Sequence, residues 1–231
     1  MKRIEAVLVD MFDTLVELQP PASRLRARLL ELAGVDVGEE AAARGFAAEI
    51  RHYLANHMQG RDEAALEALR DDCAAVLHEA LGIRGIERAT VRRAMLEALE
   101  FRVFPDVPLA LRALRSHGVR LVVVSNWDCS LPQWLERAGL AELVDGIVPS
   151  AVVGSAKPSP RIFRAALEVA GAAPEQALHV GDSMASDVEG ARAAGVRAVL
   201  IARGGGAPEG VEAISSLAEL PSLIYFPRKN A

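Results

Sequence analysis

Cysteine is scarce in this chain. Cys73 falls inside a helical pattern and Cys129 in a turn, which supplies neither a disulfide framework nor a zinc-type spacing. Long apolar runs are missing too. Nothing approaches the about 20 residues of a membrane helix. The apolar stretch behind Lys2 and Arg3 is interrupted by Glu5 and stopped by Asp10, too short for the core of a secretion signal. Positive charge is not in excess: the net charge is -5 and the pI near 5.6, so no basic field attracts nucleic acid or anionic lipid. These absences predict a cytoplasmic protein acting on small soluble substrates, without nucleic-acid or membrane partners. Nor is there an internal repeat. The triplet Gly204-Gly205-Gly206 reads as a loop, since three glycines alone are weak evidence for phosphate binding.

What is present is a chain of 231 residues, 51% hydrophobic, long enough for one large domain or a domain carrying an insertion. Ile4 to Val9 reads as a buried strand. From about residue 20 to 100 the period turns helical, with Leu66, Leu69, Cys73, Val76, Leu77 and Ala80 on one face and Val91, Met95 and Leu99 on another. Gly34, Gly60 and Gly82 divide this stretch into roughly four helices. After Phe104-Pro105-Asp106 strand and helix alternate. Strands are expected at Leu121–Val124, from Ile147, at Ala177–Val180 and at Ala198–Ile201, with helices over Leu109–His117, after Ser130, after Ser159-Pro160 and after Ser186. Ser130 with Gln133 and Ser186 with Glu189 have the spacing of capping boxes. Fully apolar strands alternating with helices predict an α/β fold with a doubly wound parallel sheet. The expected division is a core of residues 1–16 and 105–231 and a helical insert of residues 17–104.

Asp10, Ser125 and Asp182 each stand where a strand has just ended, and Lys157 follows the third strand by a loop. Ligands of such sheets gather beyond the carboxyl ends of the strands, so convergence of the four is expected from topology. Singly, each has an ordinary alternative. Asp187 suits a helix N-terminus, Lys157 a solvated loop and Ser125 a plain strand end.

The four segments Asp10-Met11-Phe12-Asp13-Thr14, Ser125-Asn126, Lys157-Pro158 and Gly181-Asp182-Ser183-Met184-Ala185-Ser186-Asp187, in this order, resemble the motifs of the haloacid dehalogenase-like hydrolase superfamily. The resemblance covers both parts of the chain and implies a Rossmann-like core with a helical cap. It implies Asp10 as carboxylate nucleophile, Ser125 and Lys157 as its catalytic partners, Ser125, Asn126 and Lys157 as substrate-binding residues, and Mg²⁺ held by Asp10, the Phe12 backbone oxygen, Asp182 and Asp187. Three carboxylates crowded in a partly dry pocket are costly, and a divalent cation with Lys157 would balance them. The implied activity is hydrolysis of a small anionic phosphate ester or anhydride through an aspartyl-phosphate.

One position departs from the pattern. Phosphatases of the family carry a second aspartate, the general acid and base, where this chain has Phe12. Losing a positioned acid costs roughly a hundredfold to ten-thousandfold in rate. Asp13 stands one residue further, although a shift of one position turns a side chain elsewhere. The family's dehalogenases also lack that aspartate and use the nucleophile to displace halide without metal. Asn126 and Trp127 keep that reading open as a halide cradle, while Asp182 and Asp187 favour the metal-dependent branch. A binding protein with weak turnover is the third reading. In the insert, Arg24, Arg28, His52 and His57 are candidates to meet an anion, Trp134 reads as packing, and a homodimer is left open.

Overall fold

The computed structural model describes residues 3–225, so the Lys2 reading lies outside the described residues. The chain begins with β1 (Ala6–Val9) and β2 (Val16–Leu18), then runs through four helices: α1 (Ala22–Ala33), α2 (Glu39–Asn56), α3 (Glu63–Leu81) and α4 (Arg88–Ala98). It continues through β3 (Phe101–Val103), α5 (Val107–Ser116), β4 (Arg120–Ser125) and α6 (Leu131–Arg137). Next come β5 (Gly146–Pro149), the short α7 (Ser150–Val153) and α8 (Pro160–Ala170). β6 (Ala177–Gly181), α9 (Gly190–Ala193), β7 (Arg197–Ile201), β8 (Ala213–Ile214) and α10 (Leu220–Tyr225) follow. Two compact units result, one of Met1–Glu17 with Val103–Ala231 and one of Leu18–Arg102.

In the first unit six parallel strands lie in the order β5-β4-β1-β6-β7-β8. The four central strands are almost wholly apolar because helices cover both faces. Ala6, Leu8, Val122 and Val124 meet Ile162, Phe163, Ala166 and Leu167 of α8 on one face. Val9 pairs with Val123 on one side and Val180 on the other, so β1, β4 and β6 finish almost level. β1 is the central strand from which the order departs in both directions, the switch point where such sheets bind ligands.

Two expected caps are different in the structure. The Ser130 hydroxyl donates to Asp128 Oδ1 at 2.5 Å instead of capping α6, because the aspartate two residues earlier competes for it. Ser186 does not cap either. Ser183 accepts from its backbone N–H at 3.2 Å, and Met184–Glu189 is a wide π-type turn, a form that recurs at functional sites. The short strands β2, β3 and β8 went unforeseen, since two or three residues of mixed polarity carry little period.

The helical unit packs Leu25, Leu29, Phe46, Leu69, Leu77, Val91 and Met95 into its own core. Asp62 caps α3 by accepting the Ala65 N–H at 2.9 Å. α2 approaches α3 at Gly45, where a Cβ would already stand 3.0 Å from Leu77 and Leu81. Glu49 is buried in this unit, 5% exposed, with a hydrogen bond to Cys73; burial pushes its carboxyl up to about 7.

Candidate active site

Asp10 follows β1 and is buried, its backbone N–H donating to Val180 O at 3.0 Å. The Lys157 ammonium lies 2.6 Å from Asp10 Oδ1 and 2.6 Å from Asp187 Oδ1, bridging the two carboxylates. Ser125, buried at the end of β4, adds a hydrogen bond to Asp10. Lys157 is held there by Asn126, the residue just after β4. The Asn126 Oδ1 accepts the Lys157 N–H at 2.7 Å and its Nδ2 donates to the Lys157 carbonyl at 3.0 Å. Both polar ends of the amide are thus engaged with backbone, which makes Asn126 a holder of the lysine loop and not a free contact for a substrate. Apart from Lys2 and Lys229 near its ends, the chain has no other lysine. A compact ammonium fits between two buried carboxylates where a planar guanidinium would not.

Asp187 is surrounded by donors. Its Oδ1 takes Lys157 Nζ and His179 Nε2, the latter at 2.8 Å, and its Oδ2 takes the Ser183 N–H at 3.0 Å. Two glycines make room for this. A Cβ on Gly181 would fall 2.2 Å from Asp187 Cγ, and one on Gly190 would fall 2.8 Å from Pro158 Cα and 2.9 Å from the Phe163 ring. Gly181 therefore lets the carboxylate lie against the strand end, and Gly190 lets the turn after β6 close onto the lysine loop. His179 and Gly190 were not among the expected site residues. The visible signal for His179 was a lone polar residue in an otherwise apolar strand.

Arg203 anchors the loop after β1 from outside. It donates to Asp106 Oδ1 at 3.0 Å and to Thr14 O at 2.6 Å, and its guanidinium stacks 3.7 Å from the Phe104 ring centroid. Within that loop Asp13 adopts a left-handed φ of 53°. Burial, then the charges of Asp10 and Glu17, push its carboxyl upward. Phe12 exposes 39% of its surface, and its backbone bridges to Val16.

Oxygen atoms of Asp10, Asp182 and Asp187 lie within 4.8 Å of one another. Burial and then the Asp187 charge hold Asp10 above the usual carboxylate range despite Lys157. Burial acts against the charge on Asp187 as well, but Lys157 and the His179 hydrogen bond outweigh it and keep the carboxyl well below that range. Desolvation opposes the Lys157 charge, and the two carboxylates overcome it and raise its affinity for the proton. Partial enclosure, followed by repulsion from Asp10, Asp187 and Asp13, pushes Asp182 up to about 7. Because Asp182 is an exposed residue, the repulsion is the cause we weight more. Three carboxylates against one ammonium leave an unbalanced negative site of hard oxygen donors, which fits a small divalent cation.

The two arginine candidates of the helical unit are engaged within it. Arg24 donates to Ala98 O at 2.9 Å and Gln19 O at 2.7 Å, and Arg28 pairs with Glu31 and Glu97. The His52 carbonyl accepts the Asn56 amide at 2.8 Å, and buried His57 is bonded through Nδ1 to Leu54 O at 3.0 Å. Trp134 packs under Arg137, whose guanidinium stands 4.8 Å from the ring centroid. Gly204-Gly205-Gly206 forms a turn after β7.

This order of strand-end carboxylates, serine and lysine is matched by the haloacid dehalogenase-like hydrolase family profile over residues 4–195. The chain belongs to that family. Among its relatives, the mouse haloacid dehalogenase-like hydrolase domain-containing protein 3 is 32% identical over 206 residues, 84% of this chain and 80% of the relative. A glyceraldehyde 3-phosphate phosphatase of Methanopyrus kandleri is 32% identical over 208 residues, covering 87% of this chain and 85% of the phosphatase. A 2-haloacid dehalogenase from Pseudomonas syringae shares the fold with a TM-score of 0.68 at 23% identity, over 96% of this chain and 98% of its own. Family membership makes the chain a hydrolase of this type, while the shared fold alone does not choose between phosphate and halide.

Proposed function

We propose that the protein is a Mg²⁺-dependent hydrolase of small phosphate esters or anhydrides, acting through an aspartyl-phosphate on Asp10. The Asp10–Lys157–Asp187 bridge beside Asp182 carries most of the weight, because its surplus negative charge suits a metal-dependent site. A metal-free dehalogenase has no use for that surplus. Likeness to a phosphatase along most of the chain supports phosphate as the group transferred.

Asp10, Asp182 and, at its remaining lone pair, Asp187 are the side chains that would hold the ion, with the Phe12 carbonyl as the further ligand the family pattern suggests. Bound there, Mg²⁺ would supply positive charge to the phosphate oxygens during transfer. The Asp10 carboxylate attacks phosphorus, the bond to the leaving oxygen breaks, and that oxygen departs with the electron pair. Lys157 and Ser125 donate to the phosphoryl oxygens as their charge develops. Water then cleaves the acyl-phosphate and restores the carboxylate. No acid stands at Phe12 to protonate a poor leaving group, so acyl phosphates and aryl esters are the expected substrates. We assign selection of the substrate to the helical unit, in the manner of a lid.

The halide reading drew on Asn126 and Trp127. The Asn126 amide is spent on Lys157, and the Trp127 ring is buried, its backbone paired with Ser150 Oγ at 3.1 and 3.2 Å. Phosphate release from acetyl phosphate that requires Mg²⁺ and stops with EDTA is the expected result. Chloride release from 2-chloropropionate in EDTA would point to the dehalogenase, and binding without product to a non-catalytic protein.

A further inference from the structure

His179 belongs to no motif of the site, yet it is the only polar side chain within β6. It is fully buried, and its Nε2 stands 2.8 Å from Asp187 Oδ1. A carboxylate only accepts, so the hydrogen sits on Nε2. Nδ1 has no hydrogen-bond partner, and the ring meets Phe163 edge-on with centroids 5.1 Å apart. The imidazole is therefore oriented by packing on one side and spends one polar atom, toward the site. A polar group buried in a strand core is costly unless its bond is worth having.

That bond lands on the same oxygen that receives Lys157. Without it, Asp187 would keep Ser183 on one oxygen and Lys157 on the other, and its carboxyl could turn about χ2, drawing the ammonium away from Asp10. The Gly181 cradle limits translation of the carboxylate through close contact. We propose that His179 is a positioning residue: its Nε2–H fixes the Asp187 carboxylate so that Lys157 is aimed at the nucleophile Asp10. The proposed hydrolase reading underlies the catalytic half of this statement, whereas the aim of Lys157 is a property of the protein without metal or substrate.

The rarity of lysine makes that aim observable. In protein labelled with ¹⁵N-lysine, Lys157 is the one ammonium between the chain's terminal lysines, and a buried, doubly paired ammonium exchanges its protons slowly enough to be seen. His179→Phe keeps the ring packing on Phe163 and deletes the donor. His179→Met does so with a flexible side chain, and His179→Gln retains an N–H donor. All are made in the full chain, and those with the parent's cooperative melting are compared. The metal-free wild type and His179→Gln should show the slow Lys157 signal, and Phe and Met variants should lose it. With Mg²⁺ and p-nitrophenyl phosphate, the Phe and Met variants should fall roughly ten- to a hundredfold in kcat with KM within about twofold, and Gln should recover most of the loss.

An unchanged Lys157 signal in a folded Phe or Met variant overturns the proposal. So does a Gln variant that behaves like Phe. Should the wild type release no phosphate while the ammonium signal follows the donor at residue 179, the positioning role stands and the phosphatase reading falls.

Discussion

Asp182 stands apart from its two partners. Asp10 and Asp187 share Lys157, whereas enclosure and the neighbouring carboxylates push Asp182 up to about 7. Below that pH it binds a proton in the metal-free protein, and a proton there competes with a cation. Mg²⁺ binding should therefore tighten as pH rises, by up to roughly tenfold between pH 6 and pH 8. Titration calorimetry in the absence of substrate checks this, and equal affinity at both values would contradict a raised Asp182 carboxyl acting as a ligand. The same position shows what a sequence can carry. Asp10, Ser125, Lys157 and Asp182 were readable as converging groups because each follows a strand of one parallel sheet. Asn126 was expected to bind substrate. That its amide clasps the Lys157 backbone depends on where the chain returns after β5, which no local pattern encodes.

At the scale of elements, the apolar strands β1, β4, β6 and β7 and the four long helices were legible to within a few residues, since burial imposes their period. The turn Met184–Glu189 was not, because its hydrogen bonds widen to bring Asp187 back beneath Gly181. Buried polar groups inside elements were equally silent. Glu49 in α2 is the instructive case. Its carboxyl has an ordinary value of 4.5 and is pushed up to about 7 by burial. Between these values the folded state holds a proton that the unfolded state has lost, so stability falls as pH rises, and the penalty is complete above about pH 7. Glu49→Gln should be close to neutral near pH 4 and stabilise by roughly 3 kcal/mol at pH 8. Urea unfolding followed by helical circular dichroism measures both. A variant no more stable than the parent at pH 8 would mean that the carboxylate is solvated in the fold.

Taken whole, the molecule joins a cluster of three carboxylates to a first loop that carries phenylalanine where the family pattern has an acid. Turnover should therefore depend steeply on the leaving group, with aryl and acyl phosphates hydrolysed at least about a hundredfold faster than alkyl esters. Phe12→Asp should narrow that gap by raising alkyl-ester turnover. Equal rates for both classes in the wild type would show that another group, with Asp13 the nearest candidate, delivers the proton. The two units were legible as a change of texture near residues 20 and 100, but nothing in that texture named a substrate. Recognition depends on exposed side chains, which carry no periodicity.

The most direct test is acid quench of the protein with p-nitrophenyl phosphate and Mg²⁺, followed by mass analysis of the peptide that contains Asp10. A phosphoryl adduct on that peptide, absent with EDTA and absent in Asp10→Asn along with turnover, is the expected result. Turnover that persists in Asp10→Asn would contradict the account.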